Sequence, residues 1–331
     1  MASNLNNGTT RIGAWAIGVL LGVMVLSPGT GRAQQDNPKV DVLQVRPNFY
    51  MLTGAGGNIG VQVGPDGLVV VNTGTREASG EVLAAIQRVT KESIRYIINT
   101  SADADMVSGN ATLSKTADDV MAHEHVLDRM SAPVGERAPF PPNQWPTETF
   151  DGRRRYLYLN DEGIEILHQP AAHTDGDSVV FFRRSDVVVA GHVLDATRFP
   201  VIDVAQGGSV QGEIDALNNL IDLAIPPGPY VGAPKEGTLL ELPGGTEILP
   251  GRGRVYRQLD VVNYRDMVVI IRDTIQYMMD RKMTLEQIKA AAPAKAWEPQ
   301  FGATTGPWTT NQFVEAIYKS LVKETSKSRE R

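Results

Sequence analysis

The segment NTSADADMVSGN, residues 99–110, contains the residues of this chain that are best placed to do chemistry. It follows YIIN, a short apolar segment that ends at Asn99, and it precedes a segment with helical character. Asp103 and Asp105 lie two residues apart around one small alanine. Two carboxylates directly after a buried strand are typical of a metal-ligand loop, because open α/β folds place their ligands at strand-to-helix connections.

Histidines and carboxylates are the residues that remain for any metal chemistry, because the chain has no cysteine. His173 lies in PAAHTDGDSVVFF, between two apolar segments, and His192 ends the apolar segment VVVAGH. Arg252 lies in GRGRV, just after TEIL. All three follow the ends of predicted strands, so we expect them to lie near Asp103 and Asp105.

The apolar patterns around these residues predict two series of strands, each followed by a helix. VDVLQVRPNFYMLTG and GNIGVQVGPDGLVVVNTG alternate or run apolar, and REASGEVLAAIQRVTK has helical spacing. RYLYLN, IEILHQP, VVFFRR and DVVVAGH repeat the strand pattern before the amphipathic SVQGEIDALNNLIDLA. This order predicts an α/β fold with two sheets packed face to face and helices outside. We expect a C-terminal helical extension over residues 256–325 and a charged tail over 326–331.

The first 33 residues are typical of a secretory signal peptide. Arg11 precedes a 15-residue apolar run, 12–26, and small residues end the segment at Ala33. A membrane anchor is the alternative, but the run is shorter than the roughly 20 residues that a span needs. We therefore predict export to the periplasm or beyond, with no membrane span after cleavage.

The charge of the chain argues against nucleic-acid partners. The formal net charge is −6 and the pI about 5.5, and no basic run is interleaved with aromatic residues. The sequence predicts instead a small-molecule ligand or a partner protein, neither of which it identifies.

The order and spacing of these segments resemble the metallo-β-lactamase superfamily over nearly all of residues 42–255. The matching segments are GGNIGVQVGPDGLVVVNTG, IINTSADADMVSGN, HQPAAHTDGDSVVFF, VVVAGHVLDATRFPVID and EILPGRGRV. The resemblance implies an αββα sandwich over residues 40–255. It also implies two zinc ions held by a His-x-His-x-Asp-His loop, a later His, a bridging Asp and a final His, where the metals activate a water that attacks the substrate.

Most of the implied ligand positions carry other residues in this chain. Asp105 and His173 keep the family's residue, and Asn72 stands where an Asp usually lies beneath the metals. The substituted positions, in the family's order, are Ser101, Asp103, Met106, His192 and Arg252. Arg252 cannot lose its proton, so it repels a second cation and is expected to form ion pairs with Asp103 and Asp105.

Two hypotheses of function follow from these substitutions. In the first, the metal site is degenerate and the chain is a binding or accessory protein that uses the old pocket. In the second, the chain is a mononuclear metal-dependent hydrolase that holds one zinc, iron or manganese ion through Asp103, His173 and His192, with or without Asp105. Asp105 would then be the base toward the bound water, and Arg252 would steady an anionic substrate or oxyanion.

Other motifs have ordinary structural explanations. His123 and His125, in MAHEHVLDRM, are expected where a strand runs into a helix, at the surface or behind the site, and His168 on a strand near the pocket rim. GGSV, residues 207–210, is expected to open a helix that Ser209 caps. GAGGNIG lacks the nucleotide-binding pattern, and without a GxSxG motif there is no serine nucleophile system.

Overall fold

Two β-sheets stack face to face in the computed structural model, which describes residues 39–135, 138–228 and 244–329. The predicted signal peptide, residues 1–33, lies outside the described residues. Over the three described ranges, the helices are all too short or too polar to cross a membrane.

The first sheet has seven strands, arranged in the order in which they occur in the chain. It is antiparallel from β1 to β4 and parallel from β4 to β7. Its strands are β1 (Asp41–Arg46), β2 (Phe49–Ala55), β3 (Gly57–Gly64), β4 (Gly67–Val71), β5 (Ile94–Ile98), β6 (Ala117–His123) and β7 (Glu148–Phe150).

The second sheet has five strands, in the order β12-β11-β10-β9-β8. Within the described ranges, β11 and β12 are parallel neighbours and the other adjacent pairs of this sheet are antiparallel. Its strands are β8 (Arg154–Leu159), β9 (Glu162–Gln169), β10 (Asp177–Phe182), β11 (Val187–Asp195) and β12 (Glu247–Arg252).

Alternation along the strands divides the apolar residues between the interior and the outer faces of the sandwich. In β4, Val69 and Val71 join the interior core, which also contains residues of the second sheet. Leu68 and Val70 face the other way, into a second apolar cluster with helix α1 (Ser79–Val89). Both faces of this strand are therefore buried, which explains its uninterrupted apolar sequence.

The outer face of the second sheet is covered by helices, including those of the C-terminal extension. The helices that follow α1 are α2 (Ala104–Val107), α3 (Asn110–Leu113), α4 (Glu124–Ser131), α5 (Val210–Leu223), α6 (Gln258–Asp280), α7 (Leu285–Ala290), α8 (Glu298–Phe301) and α9 (Thr310–Arg329). Helix α6 buries Val261, Val268 and Ile275 at helical spacing in the cluster that also contains residues of β11, α5 and α9. The predicted sandwich with a C-terminal helical extension is confirmed.

The last helix reaches further than the sequence indicates. The charged tail predicted over 326–331 overlaps the end of α9, and residues 330–331 lie outside the described residues. The extension also reaches the loop after β11, since the Tyr264 hydroxyl donates to the Arg198 carbonyl at 2.9 Å. That loop borders the candidate functional site.

Candidate functional site

The loop after β5 brings Asp103 and Asp105 to the edge where β4, β5 and β6 end. Asn72 follows β4 in the left-handed conformation (φ 66°), and its Oδ1 accepts from the Thr100 backbone N–H at 2.9 Å. Asn72 thus holds the start of the loop. Asp103 is the residue that precedes α2, and its Oδ2 accepts from the buried Ser101 hydroxyl at 2.7 Å.

Asp103 and His173 form an ion pair across the two sheets. Nε2 of His173 lies 3.1 and 3.2 Å from the two carboxylate oxygens of Asp103, and Nδ1 donates to the Val201 carbonyl at 2.7 Å. The His173 side chain is 5% exposed and that of Asp103 is 32% exposed. Although burial opposes the charge, the Asp103 carboxylate raises the pKa of His173 to about 10. Both nitrogens of His173 therefore donate, as expected of an imidazolium.

Asp105 and Arg252 form a second ion pair beside the first. A terminal nitrogen of the Arg252 guanidinium contacts Asp105 Oδ2, and the other terminal nitrogen donates to the Gly56 carbonyl. Gly56 has φ 96° between β2 and β3, and a Cβ there would lie 2.5 Å from Thr75 and 3.3 Å from Asp105. The GAGGNIG motif thus serves this close approach.

His192 completes the group next to Asp105. Its Nε2 lies 3.3 Å from Asp105 Oδ1, and its ring centroid lies 5.1 Å from that of His173. Burial of Asp105 favours its neutral form, but His192 and Arg252 together lower its pKa. The expected pairing of Arg252 with Asp105 is present, whereas Asp103 pairs with His173. We refer to Asp103, Asp105, His173, His192 and Arg252 as the candidate centre.

Ser101 and Met106, at two further ligand positions, offer little to an ion. Ser101 is fully buried and its hydroxyl is used by Asp103. Met106 is also fully buried, in an apolar cluster with Val107 and Val126. Its methyl group fills the space beside Gly57, where an added Cβ would lie only 2.7 Å away. The thioether therefore acts as core packing, in line with its weak affinity for hard metal ions.

The candidate centre opens into a cavity of about 330 Å³. Asp103, His173 and His192 offer ligand atoms that lie within 4.8 Å of one another, so this set fits one divalent ion. Sequence reasoning missed two side chains of the cavity wall, Arg198 and Trp308. Arg198 donates to the carboxylate of Asp195 at 2.7 Å. The two residues are three apart in the sequence LDATR, and this spacing could have indicated the pair. Trp308 comes from the C-terminal extension, and no motif signals it.

Two buried acids lie behind the candidate centre. Asp177 is 1% exposed and Glu213 is fully buried. Burial raises the pKa of Asp177 to about 6 and that of Glu213 well above its usual range. Neither oxygen of Glu213 has a hydrogen-bond partner within the described ranges, as expected of a group kept neutral.

The remaining sequence expectations are met in part. His123 ends β6 and precedes α4, as predicted, but it is 1% exposed, so a surface position is wrong for it. His125 borders the same cleft as Asp103. His168 lies on β9. The Ser209 hydroxyl caps α5 by accepting from the Gly212 N–H at 2.9 Å.

Comparison with protein families agrees with the two-sheet sandwich described above. The family model described as the metallo-beta-lactamase superfamily matches residues 52–227, more than half of the chain. The chain belongs to the metallo-β-lactamase superfamily. A search of curated proteins finds no significant match.

Solved structures share the fold at low sequence identity. The stereoselective inverting sec-alkylsulfatase Pisa1 from Pseudomonas sp. is 12% identical, with a TM-score of 0.58 over 85% of this chain and 50% of that one. The chain thus spans about half the length of this alkylsulfatase. A metallo-beta-lactamase from Pontibacter korlensis is 15% identical, with a TM-score of 0.52 over 70% of this chain and 99% of that one. The DIM-1 metallo-beta-lactamase is 14% identical, with a TM-score of 0.51 over 70% and 97%.

Proposed function

We propose that this chain is an exported binding or accessory protein that has lost the two-zinc hydrolysis of its superfamily. The contact of the Arg252 guanidinium with Asp105 and with the Gly56 carbonyl carries the proposal. Asp105 is one of the two ligand residues that this chain retains, and an internal cation already occupies it. The cavity of about 330 Å³ is of a size that takes a small molecule.

The charge of Arg252 disfavours a second metal ion strongly. A guanidinium stays protonated at any physiological pH, so it cannot make way by losing its charge. A dication about 4 Å from this charge would be repelled by about 8 kcal/mol at an effective dielectric constant of about 20. With Met106 buried and Ser101 bound to Asp103, no ligand at these positions offsets that repulsion.

A mononuclear hydrolase is the second candidate, and one observation favours it. The ligand atoms of Asp103, His173 and His192 lie within 4.8 Å of one another, a set that suits zinc, iron or manganese. A bound ion would supply a Lewis acid and a water of lowered pKa. The base that this reaction needs is harder to find, because the Arg252 guanidinium already pairs with Asp105. We therefore rank this candidate second.

The two candidate functions are tested by measuring the number of bound metal ions and the catalytic turnover of the same protein. The protein is loaded with zinc, iron or manganese, and then assayed with a sulfate ester, a β-lactam and a phosphodiester, before and after a chelator. We expect no turnover above background. One ion in the candidate centre with chelator-sensitive turnover would establish the second candidate, and two ions in this centre would refute both.

A variant with the family's ligands restored provides the positive control. It should bind two zinc ions if the substitutions alone disable the centre. Its changes are Ser101→His, Asp103→His, Met106→His, His192→Asp and Arg252→His. A thermal-shift screen of small molecules against wild type and Arg252→Ala tests the binding role, and a ligand of this cavity should stabilise wild type more.

A further inference from the structure

A second group of histidines lies outside the candidate centre. His123, at the end of β6, His125, in the first turn of α4, and His168, on β9, each offer a ring nitrogen within 4.8 Å of the others. We call these three residues the histidine cluster. The ring of His168 stacks on that of His123 with centroids 3.5 Å apart, and the His125 ring stands edge-on to His123 at 4.8 Å.

Two of the three histidines in the cluster, His125 and His168, point a ring nitrogen at the same carbonyl oxygen. Nδ1 of His125 lies 3.0 Å and Nε2 of His168 lies 2.7 Å from the carbonyl oxygen of Asp175. Both nitrogens donate hydrogen bonds to this oxygen, so an ion that bound them would displace a proton from each ring. Ligand atoms around one ion at bonds of 2.0–2.1 Å lie about 2.9–3.4 Å apart, so little movement of these three atoms would be needed. A carbonyl oxygen beside imidazoles is an acceptable further ligand for a divalent ion.

His123 provides an independent observation. It is 1% exposed, its Nδ1 accepts from the His125 N–H at 3.3 Å, and its Nε2 makes no well-formed hydrogen bond in the described part of the chain, although the backbone of Asp151 interacts with the ring. A buried ring nitrogen without a partner is costly, and an unseen ion or water is an ordinary explanation for one. Burial and the neighbouring rings of His168 and His125 lower the pKa of His123 to about 4. The ring is thus neutral at neutral pH, with its proton on Nε2 as long as Nδ1 accepts from the His125 N–H, so binding a metal through Nε2 requires that proton to leave or to move to Nδ1.

The nearby charges do not prevent a cation from binding. Two arginines lie near the cluster: the guanidinium of Arg129 is held by the carboxylate of Asp175 and by Gln206, and the charge of Arg153 acts on His168. The Asp175 carboxylate also lies 3.5 Å from Nδ1 of His125. The Asp175 carboxylate thus offsets the charge of Arg129, and the charge of Arg153 is the repulsion that a dication at the cluster would have to overcome.

We infer that the histidine cluster, with the Asp175 carbonyl, is a binding site for a divalent transition-metal ion that prefers imidazole ligands, such as zinc, nickel or copper. Coordination by all three rings requires the stacked rings of His123 and His168 to splay and the cluster to contract by about 1–2 Å. His168 borders a cleft of about 240 Å³, and the His125 side chain is 41% exposed, so both rings have adjacent space into which they can shift.

This site is separate from the candidate centre but opens into the same space. His125, Asp175 and Asp103 all line a cleft of about 620 Å³. An ion at the histidine cluster would place a positive charge at the wall of this cleft, where an anionic group of a bound small molecule could reach it. The site needs none of the residues that the family's zinc loop uses.

Metal titration with matched variants tests the inference. Wild type is titrated with Zn²⁺ by calorimetry and with Cu²⁺ by electron paramagnetic resonance, which reports nitrogen ligands. The variants His125→Asn and His168→Asn remove one ring each, and Glu124→Gln, an exposed neighbour on α4, is the control. Asp103→Asn disables the candidate centre alone. Circular dichroism confirms that each variant is folded.

We expect one Zn²⁺ site whose Kd rises at least tenfold in His125→Asn and in His168→Asn, and is unchanged in Glu124→Gln and Asp103→Asn. The Cu²⁺ spectrum should show nitrogen coordination in wild type that each histidine variant reduces. The inference is overturned if wild type binds no Zn²⁺ above background. It is also overturned if Asp103→Asn abolishes all binding, because the ion would then belong to the candidate centre.

Discussion

The candidate centre and the histidine cluster use the same residue type in opposite ways. In the candidate centre, His173 faces the carboxylate of Asp103, which raises its pKa to about 10. In the histidine cluster, His123 faces two other rings in a buried position, which lowers its pKa to about 4. His173 is thus the charged partner in an ion pair, and His123 is a neutral ring. A histidine's chemistry is thus set by what packs against it.

Breaking the carboxylate–imidazolium pair should have the largest effect. Asp103→Asn removes the anion that faces His173, so the pKa of His173 should fall from about 10 towards 6.5. Loss of a buried ion-pair partner costs about 3–5 kcal/mol, and the partial exposure of Asp103 reduces this to about 2–4 kcal/mol. Urea unfolding at pH 7 measures the loss, and NMR titration of the His173 ring measures the pKa. The exposed Asp128, changed to Asn, is the control and should lose less than about 0.5 kcal/mol.

The same variant should change the response to high pH. The raised pKa of His173 contributes stability that is fully present below pH 6.5 and is lost as the pH rises towards 10. Asp103→Asn should therefore flatten the fall in unfolding free energy between these values. An unchanged slope would contradict the ion pair as the cause.

The histidine cluster predicts the opposite dependence on pH. Because the pKa of His123 is lowered from 6.5 to about 4, the unfolded chain binds more protons in this range. Its contribution is present above pH 6.5 and is lost as the pH falls towards 4, by about 2–3 kcal/mol. Asp177 titrates in the same range with the opposite sign. The quantity to measure is therefore the difference in slope between wild type and His123→Asn, and equal slopes would count against the prediction.

Removal of the arginine of the candidate centre should have a smaller effect on stability. Arg252→Ala leaves Asp105 without its cation, and we expect a loss of about 1–3 kcal/mol, because the arginine side chain is 33% exposed. Arg252→Lys should recover only part of this loss, because lysine keeps the charge but cannot contact both Asp105 and the Gly56 carbonyl as the guanidinium does. Arg254→Ala is the control, because the pair of Arg254 with Asp260 is exposed and should contribute less than about 1 kcal/mol. A loss equal to that of Arg254→Ala would argue that Arg252 is only a surface residue.

The smallest effect is expected from the histidine cluster in the absence of metal. The His125 side chain is 41% exposed and donates one hydrogen bond, to the Asp175 carbonyl, so His125→Asn should cost about 0.5–1.5 kcal/mol. The difference between wild type and this variant should grow when Zn²⁺ is added, because an ion that binds the folded state stabilises it by mass action. Thermal unfolding with and without Zn²⁺ measures both values. A difference that Zn²⁺ leaves unchanged would count against the second metal site.

Local pattern accounts for most of what the sequence predicted correctly. The alternation in β3, the apolar run of β4 and the helical spacing in α1 and α5 predicted two sheets with helices outside, because burial of apolar faces depends on short-range periodicity. The Gly and Asp pattern after β5 predicted the loop that carries Asp103 and Asp105. The pairing of Arg252 with Asp105 followed from the ligand positions that the family resemblance implied, together with the fixed charge of arginine.

What the sequence did not predict depends on contacts between distant segments. His123 and His168 belong to different sheets, and their stacking follows from how the sheets pack, which no local pattern encodes. The Val201 carbonyl that orients His173 and the Trp308 side chain at the cavity are set in the same way. Asp103 was expected to pair with Arg252, but His173 lies nearer to it.

One measurement tests the central claim most directly: the number of zinc ions bound by the candidate centre. Native mass spectrometry of the zinc-loaded His125→Asn variant removes the contribution of the histidine cluster. If Arg252 takes the place of the second metal ion, the His125→Asn variant should bind no zinc or one zinc. Adding Arg252→His to this variant should leave the number of bound zinc ions the same or raise it. Two tightly bound zinc ions with Arg252 present would contradict the claim.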